Sequence, residues 1–402
     1  MAIQLEAAQQ LLLSQVQILP AEQIYLEDCW QRILAQEVIA DSDFPPFDRS
    51  PLDGYALIAR EAATATADNP VVLTEIDSVS AGSLATATVY PGTACRIMTG
   101  APVPPGATGV VRLEDTQVHG KQVTVVAGAG LDKNICFRGE EIAAGSAVLA
   151  PGTKINMGAM GLLAMLGQTH PFVYRRPAVG LIATGSELVT PGSPLEPGKI
   201  RNSNSYMLSA QVRDAGGNPL LLGTARDDVG DIIRLIRSRN DYDVCITTGG
   251  ASVGDYDLIG EVFERMGIEI LFDRVNMKPG MPVLAGVKDG ILFIGLSGNP
   301  AAASIAFEQV VRPVLLKMGG QKEWWRPVVR AKLAAGFHKG SESKRFVWAR
   351  MWQAEECLLV EPLRLQGNGM LQSALHANAL IVIPANSPPL PVGTEVETML
   401  LV

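Results

Sequence analysis

The run PAVGLIAT at 177–184 is followed at 203–217 by SNSYMLSAQVRDAGG, which reads as an apolar strand and then a helix with an Asn/Ser start and a Gly stop. The same alternation continues. PLLLG (219–223) is a strand, and DDVGDIIRLIRSRN (227–240) is a helix with acids in its first turn. DVCITTGG (243–250) is a strand, DYDLIGEVFERMG (255–267) a helix and IEILFDRV (268–275) a strand. VLAGVKDGILFIGL (283–296) reads as a hairpin, and NPAAASIAFEQVVRPVLLK (299–317) as one long helix with a capping Asn before Pro at its first position. Strand and helix in turn imply a doubly wound α/β domain with a mostly parallel sheet, placed here at 176–320.

Outside that domain the pattern changes. The chain up to about Val38 reads helical, with Leu5, Ala8 and Leu12 on one face and Leu26, Trp30 and Ile33 on another. DSDFPPFDRSPLDGYAL (41–57) is broken by prolines and by Asp53-Gly54 into a loop of fixed turns. Short strand-like runs separated by Gly and Pro follow as far as Leu149, and INMGAMGLLAMLG (155–167) reads as a helix. The expected division is a discontinuous helical and extended segment at 1–44 and 146–175, and a β-rich domain at 45–145. The α/β domain follows, and then a C-terminal β-domain at 321–402 built on runs such as RFVWARMW and ALIVIP.

Composition narrows the function. At 402 residues the chain is too long for a single core, and 47% hydrophobic against 18% charged residues rules out disorder throughout. A net charge of -8 argues against duplex nucleic acid as a partner. The N-terminus lacks a basic leader, and no run reaches the length of a membrane span, so neither secretion nor insertion is expected. Five scattered cysteines without a C-x-x-C pair suit buried thiols in a reducing, cytoplasmic compartment. Four isolated histidines offer no zinc site.

In an open α/β sheet, ligands bind beyond the carboxyl ends of the strands. Three loops there are rich in Gly, Ser and Thr: Ala183-Thr184-Gly185-Ser186-Glu187, Thr247 to Asp255, and Ser297-Gly298-Asn299-Pro300. One such loop is a weak signal; three at one sheet edge imply a pocket for a phosphate-bearing or other anionic ligand gripped by helix N-terminal amides. Glu187, Asp227, Asp228, Asp255 and Asp257 would repel that ligand unless a cation intervenes, and Mg²⁺ is the hard-cation solution. Capping is the better reading for Asp228 and Asp255, and metal or substrate contact for Asp227 and Asp257. Arg274 and Lys278, in FDRVNMKPG, add positive charge, though a solvated lysine is the plain alternative. A P-loop, a dinucleotide fingerprint and a complete nucleophile elbow are all missing, which disfavours hydride transfer and serine hydrolysis.

Taken in order, PPFDRSPLDGYA, CRIMTGAPVP, RGEEIAAG, LIATGSEL, the Asp227 region, ITTGGASVGDYD, FDRVNMKPGMP, GLSGNPAAA, KRFVWAR and QGNGMLQSAL resemble the molybdopterin molybdenumtransferase family of MoeA type, related to the C-terminal part of gephyrin. The likeness covers nearly the whole length. It implies an enzyme that takes adenylylated molybdopterin and molybdate, releases AMP and leaves molybdenum on the dithiolene, with Mg²⁺ as cofactor. It also implies a homodimer whose shared site receives Asp53 and Thr99 from the second subunit. The molybdopterin adenylyltransferase and apo-molybdoenzymes become candidate partners.

Carried over position by position, the catalytic set is Asp53, Thr99, Glu187, Asp227, Asp257 and Lys278, with Asp227 and Asp257 at the metal. Substrate contacts fall on Gly185, Ser186, Gly249, Gly250, Ser252, Gly254, Arg274, Pro279, Gly280, Ser297, Gly298, Asn299 and Pro300, and on Arg345, Arg350 and Ser373 in the last domain. Departures from the family pattern are Ser297 for a common Pro, Cys136 for a frequent Arg, Glu141 for Asp, and Arg274 where some members carry Lys. Two readings compete with this one. An ATP-dependent adenylyltransferase would match only about 176–320, and a receptor scaffold of gephyrin type would carry an additional N-terminal domain and linker.

Overall fold

The computed structural model describes residues 2–250 and 258–401. The chain forms two compact units, Met1–Ala35 with Pro151–Met157 and His170–Val402, and Gln36–Ala150 with Gly158–Thr169.

The larger unit is built on a six-stranded sheet. Its elements are β1 (Ala178–Thr184), α1 (Asn204–Asp214), β2 (Asn218–Ala225), α2 (Val229–Ile236), β3 (Val244–Thr248), α3 (Leu258–Met266), β4 (Glu269–Arg274), β5 (Pro282–Lys288), β6 (Ile291–Leu296) and α4 (Pro300–Ala306). Strand order is β2-β1-β3-β6-β5-β4. The first four are parallel, while β5 runs antiparallel to both β6 and β4. Every residue of β1 and β3 is buried because both sheet faces are covered, which is why these strands read as unbroken apolar runs. Val179, Leu181, Val244, Ile246, Ile294 and Leu296 join a core with Leu208 and Val212 of α1 and the helical residues Ile305, Phe307 and Val310. On the opposite face Ile182, Cys245 and Phe293 pack with Ile232 and Leu235 of α2 and Ile259, Val262 and Phe263 of α3.

Two segments depart from the pattern their sequence suggests. Only Leu5–Ser14 of the first stretch is α-helical; after Pro20 the chain is extended apart from a 3-10 turn at Leu26–Asp28, and Ala21–Gln23 pairs antiparallel with Phe172–Tyr174. Trp30 is exposed and Gln31 has φ 62°, so the apparent face of Leu26, Trp30 and Ile33 is not a helix face. The helix from Pro300 is not uniform either. A π-helical turn at Phe307–Val311 precedes Arg312–Met318, where Pro313 lacks the N–H that a continuous α-helix would use.

The C-terminal strands close into a barrel. Val328–Leu333, Lys344–Gln353, Leu358–Pro362, Ala379–Ile383 and Glu395–Leu400 pair in a ring, because Lys344–Gln353 bonds to both Leu358–Pro362 and Ala379–Ile383. Met277–Lys278 adds a short parallel pairing at Lys344–Arg345.

The smaller unit carries a mixed six-stranded sheet. In it Gly54–Leu57 lies between Gly109–Arg112 and Thr93–Ile97. Gly54 faces Ile97, which sets Asp53 and Thr99 at one end of the pair. A Cβ on Gly54 would stand 1.8 Å from the Val111 carbonyl oxygen, so only glycine lets these strands close.

Candidate active site

The carboxyl ends of β1, β2, β3 and β6 open onto a cavity of about 800 Å³. Of the expected residues, Gly185, Glu187, Asp227, Gly249, Gly250, Ser297, Gly298, Asn299 and Pro300 line it. Thr184 and Thr248, members of the expected loops, line it too, while Arg201, Asn202, Asn204, Pro282 and Gly369 line it and were not singled out from sequence. Arg201 is the one basic side chain among the described lining residues, and its Nη2 donates to the Ser193 carbonyl at 3.2 Å.

Each loop is held by its neighbours. The Gly185 amide donates to the Ala225 carbonyl at 3.1 Å, tying the end of β1 to that of β2. Ser186 and Asp227 then bond reciprocally: the Ser186 amide donates to Asp227 Oδ2 at 2.8 Å, and the Asp227 amide donates to Ser186 Oγ at 3.3 Å. Lys199 Nζ donates to the Ser186 carbonyl at 2.8 Å. The Gly249 amide donates to the Leu296 carbonyl at 3.1 Å, joining β3 to β6.

The geometry changes how an anion could be held. The first loop does not run into a helix; it leads to a two-stranded pairing of Leu188–Val189 with Ile200–Arg201. At α2, Asp228 caps by accepting the Asp231 amide at 2.8 Å. At α4, the amides of Ala301 and Ala302 both donate to the Asn368 carbonyl, at 3.0 and 3.2 Å. Asn202 Oδ1 takes the Ser205 amide at α1. These helix-start amides, expected to be available, are therefore used inside the fold, which leaves loop backbone and Arg201 facing the cavity.

The remaining expected residues are dispersed. Lys278 is exposed and sits opposite Arg345 in register. Pro279 and Gly280 form the turn beyond it, packed so that a Cβ on Gly280 would lie 3.0 Å from the Ala302 carbonyl. Arg274 is exposed, 3.9 Å from Asp273. Arg345 lies over the Phe337 ring with its Nε buried and unpaired, and burial lowers its pKa. Arg350 is exposed opposite Glu361, whereas Ser373 is buried and donates to the Leu365 carbonyl at 2.5 Å.

In the smaller unit, Asp53 Oδ1 accepts the Thr99 amide at 2.7 Å and the Thr99 hydroxyl at 2.8 Å. These two bonds, the amide first, hold the carboxyl below its ordinary range. Cys136 exchanges both backbone hydrogen bonds with Arg49, and burial pushes its thiol up. Asp257, Ser252, Gly254 and Asp255 fall outside the described residues.

Comparison with known proteins gives three family matches in chain order. They are the MoeA N-terminal region (domain I and II) over residues 3–167, a probable molybdopterin binding domain over 180–317 and the MoeA C-terminal region (domain IV) over 330–401. The molybdopterin molybdenumtransferase of Bacillus subtilis is 38% identical over 385 residues, 94% of this chain and 90% of the relative. That of Staphylococcus aureus strain MRSA252 is 35% identical, covering 99% and 95%. The crystal structure of the molybdopterin biosynthesis MoeA protein from Pyrococcus horikoshii OT3 superposes with a TM-score of 0.84 at 30% identity, covering the whole of both chains.

Proposed function

We propose the following reaction for a chain that belongs to the MoeA family of molybdopterin molybdenumtransferases, transferases with a role in molybdenum cofactor biosynthesis. The cavity at the carboxyl edge of the sheet takes adenylylated molybdopterin and molybdate. The phosphoanhydride is cleaved, AMP leaves, and molybdenum stays on the dithiolene. The observation that carries this reading is one cavity bringing together Glu187, Asp227, Arg201 and three Gly-containing turns.

Anhydride cleavage places charge on phosphoryl oxygens, and the need is for stabilisation of that charge more than for a covalent nucleophile. Arg201 supplies one fixed positive charge against two carboxylates lining the same space. The donor set fits Mg²⁺, which is held by one or two carboxylates together with phosphate oxygens and water. Asp227 has one oxygen engaged by the Ser186 amide and Oδ1 left for the ion, Glu187 lines the same cavity, and Asp257 is the further proposed ligand. When bound, the ion supplies Lewis-acid stabilisation of the phosphoryl oxygens. The protein's own part is to orient the anhydride on the Gly185, Gly249 and Gly298 turns, whose lack of side chains lets the ligand approach the backbone.

Lys278 and Arg345, paired in register, are proposed to meet the molybdate dianion or the pterin phosphate, with Arg350 and Ser373 as further contacts and Arg274, Pro279 and Gly280 shaping the approach. A homodimer in the cytoplasm, with Asp53 and Thr99 contributed by a second copy, completes the proposal. The molybdopterin adenylyltransferase would hand over the substrate and apo-molybdoenzymes would take the product. Among the described residues no helix is long and apolar enough to cross a membrane.

The test is direct. AMP is quantified after the full chain is incubated with adenylylated molybdopterin, with and without molybdate and Mg²⁺. AMP release that requires both additions is expected, and chelation of the cation should abolish it. Release at the same rate without a divalent cation would remove the metal from the reaction.

A further inference from the structure

The tripeptide Asn202-Ser203-Asn204 enters α1, yet the side chain of Ser203 makes no capping bond. Its two neighbours do something else. Asn202 Nδ2 donates to Ser205 Oγ at 2.9 Å and to Thr224 Oγ1, near the end of β2, at 3.2 Å, while its Oδ1 takes the Ser205 amide at 3.1 Å. Asn204 Nδ2 donates to Thr248 Oγ1, the last residue of β3, at 2.7 Å and to the Gly298 carbonyl, just past β6, at 2.9 Å. Thr248 Oγ1 passes the link on by donating to the Ser297 carbonyl at 3.0 Å. Both asparagines are buried, 7% and 8% exposed.

In the order β2-β1-β3-β6, these bonds start at one edge of the parallel strands and finish at the other. We infer that Asn202 and Asn204 brace the carboxyl ends of the parallel strands, and that Asn204 is a positioning residue fixing the spacing of the Thr248–Gly250 and Ser297–Asn299 turns before ligand arrives. Both amide protons of Asn204 are spent on those turns, while its Oδ1 is buried without a partner. A side chain kept in place with a bare acceptor is one whose donors matter. A carboxylate of the same size would lose both donors and set negative charge against the Gly298 carbonyl. Thr248 Oγ1 and the Gly249 amide already link the two turns directly, and Asn204 adds from α1 a brace that touches both at once. Turns held in advance need no rearrangement at the moment of reaction.

The inference rests on the reaction proposed above, and its test has a readout that does not. Asn204→Ala and Asn204→Asp are made in the full chain. Without ligand, hydrogen exchange of amides at 247–250 and 296–299 should speed up about tenfold, while those of the barrel strand at 346–349 keep their protection. In the AMP-release assay kcat should fall about 30-fold with KM moving less than about threefold, the signature of lost transition-state geometry rather than lost binding. Unchanged exchange at the two turns would overturn the brace. So would faster exchange accompanied by an unchanged kcat. If the alanine variant loses barrel protection, the isosteric aspartate variant decides by the same two readouts. A wild-type chain that releases no AMP would sink the reaction, and the exchange data alone would then decide the brace.

Discussion

Asp227→Ala is expected to lower kcat for AMP release at least about 1,000-fold, a loss of roughly 4 kcal/mol of transition-state stabilisation. The unfolding transition should stay within about 0.5 kcal/mol of wild type, because the side chain is exposed and its removal leaves no cavity. What it takes away is the carboxylate that faces the cavity with one oxygen anchored by the Ser186 amide. Asp227→Asn separates the two contributions. It keeps an oxygen for the Ser186 amide but removes the charge, so a metal-holding role demands nearly the same loss. Full activity in the asparagine variant would reduce Asp227 to a loop anchor. Quantifying AMP by chromatography, beside a thermal melt of each variant, checks both halves.

Gly249→Ala should damage fold and activity together. Gly249 has φ 97°, a region that costs an L-residue roughly 1 kcal/mol, and its new Cβ would stand 2.2 Å from the Thr184 carbonyl. Backbone stands on both sides of that clash, so the ends of β1 and β3 must move apart. Strain and overpacking together come to roughly 2–4 kcal/mol of destabilisation, read as a lower denaturant midpoint. AMP release should fall at least about 100-fold, since the turn that must approach the anhydride is displaced. A variant with wild-type midpoint and turnover would show that the close approach of these two strand ends is not needed.

The α/β domain was legible because its strands are buried on both faces. That burial forces unbroken apolar runs such as 178–184, and the glycines that follow them can only be turns. The cavity-lining turns came from the same reading. Local pattern could not report the partners supplied from far along the chain. The Asn368 carbonyl that takes the Ala301 and Ala302 amides lies more than sixty residues away, and no period announces it. Asn204 reads from sequence as part of a helix start, which it is, but its partners are distant: Gly298 is 94 residues away and Thr248 is 44. Arg201 escaped notice because a lone arginine on a two-residue strand has no signature. The stretch after Pro20 misled for a related reason: Leu26, Trp30 and Ile33 are spaced like a helix face, whereas the pairing of Ala21–Gln23 with Phe172–Tyr174 fixes an extended chain.

The most direct measurement is a crystal structure of the full chain soaked with adenylylated molybdopterin and a divalent cation. Density for the phosphoanhydride should appear between the Gly185, Gly249 and Gly298 turns, with the ion against Asp227. The same compound bound elsewhere on the protein, with this cavity empty, would contradict the account.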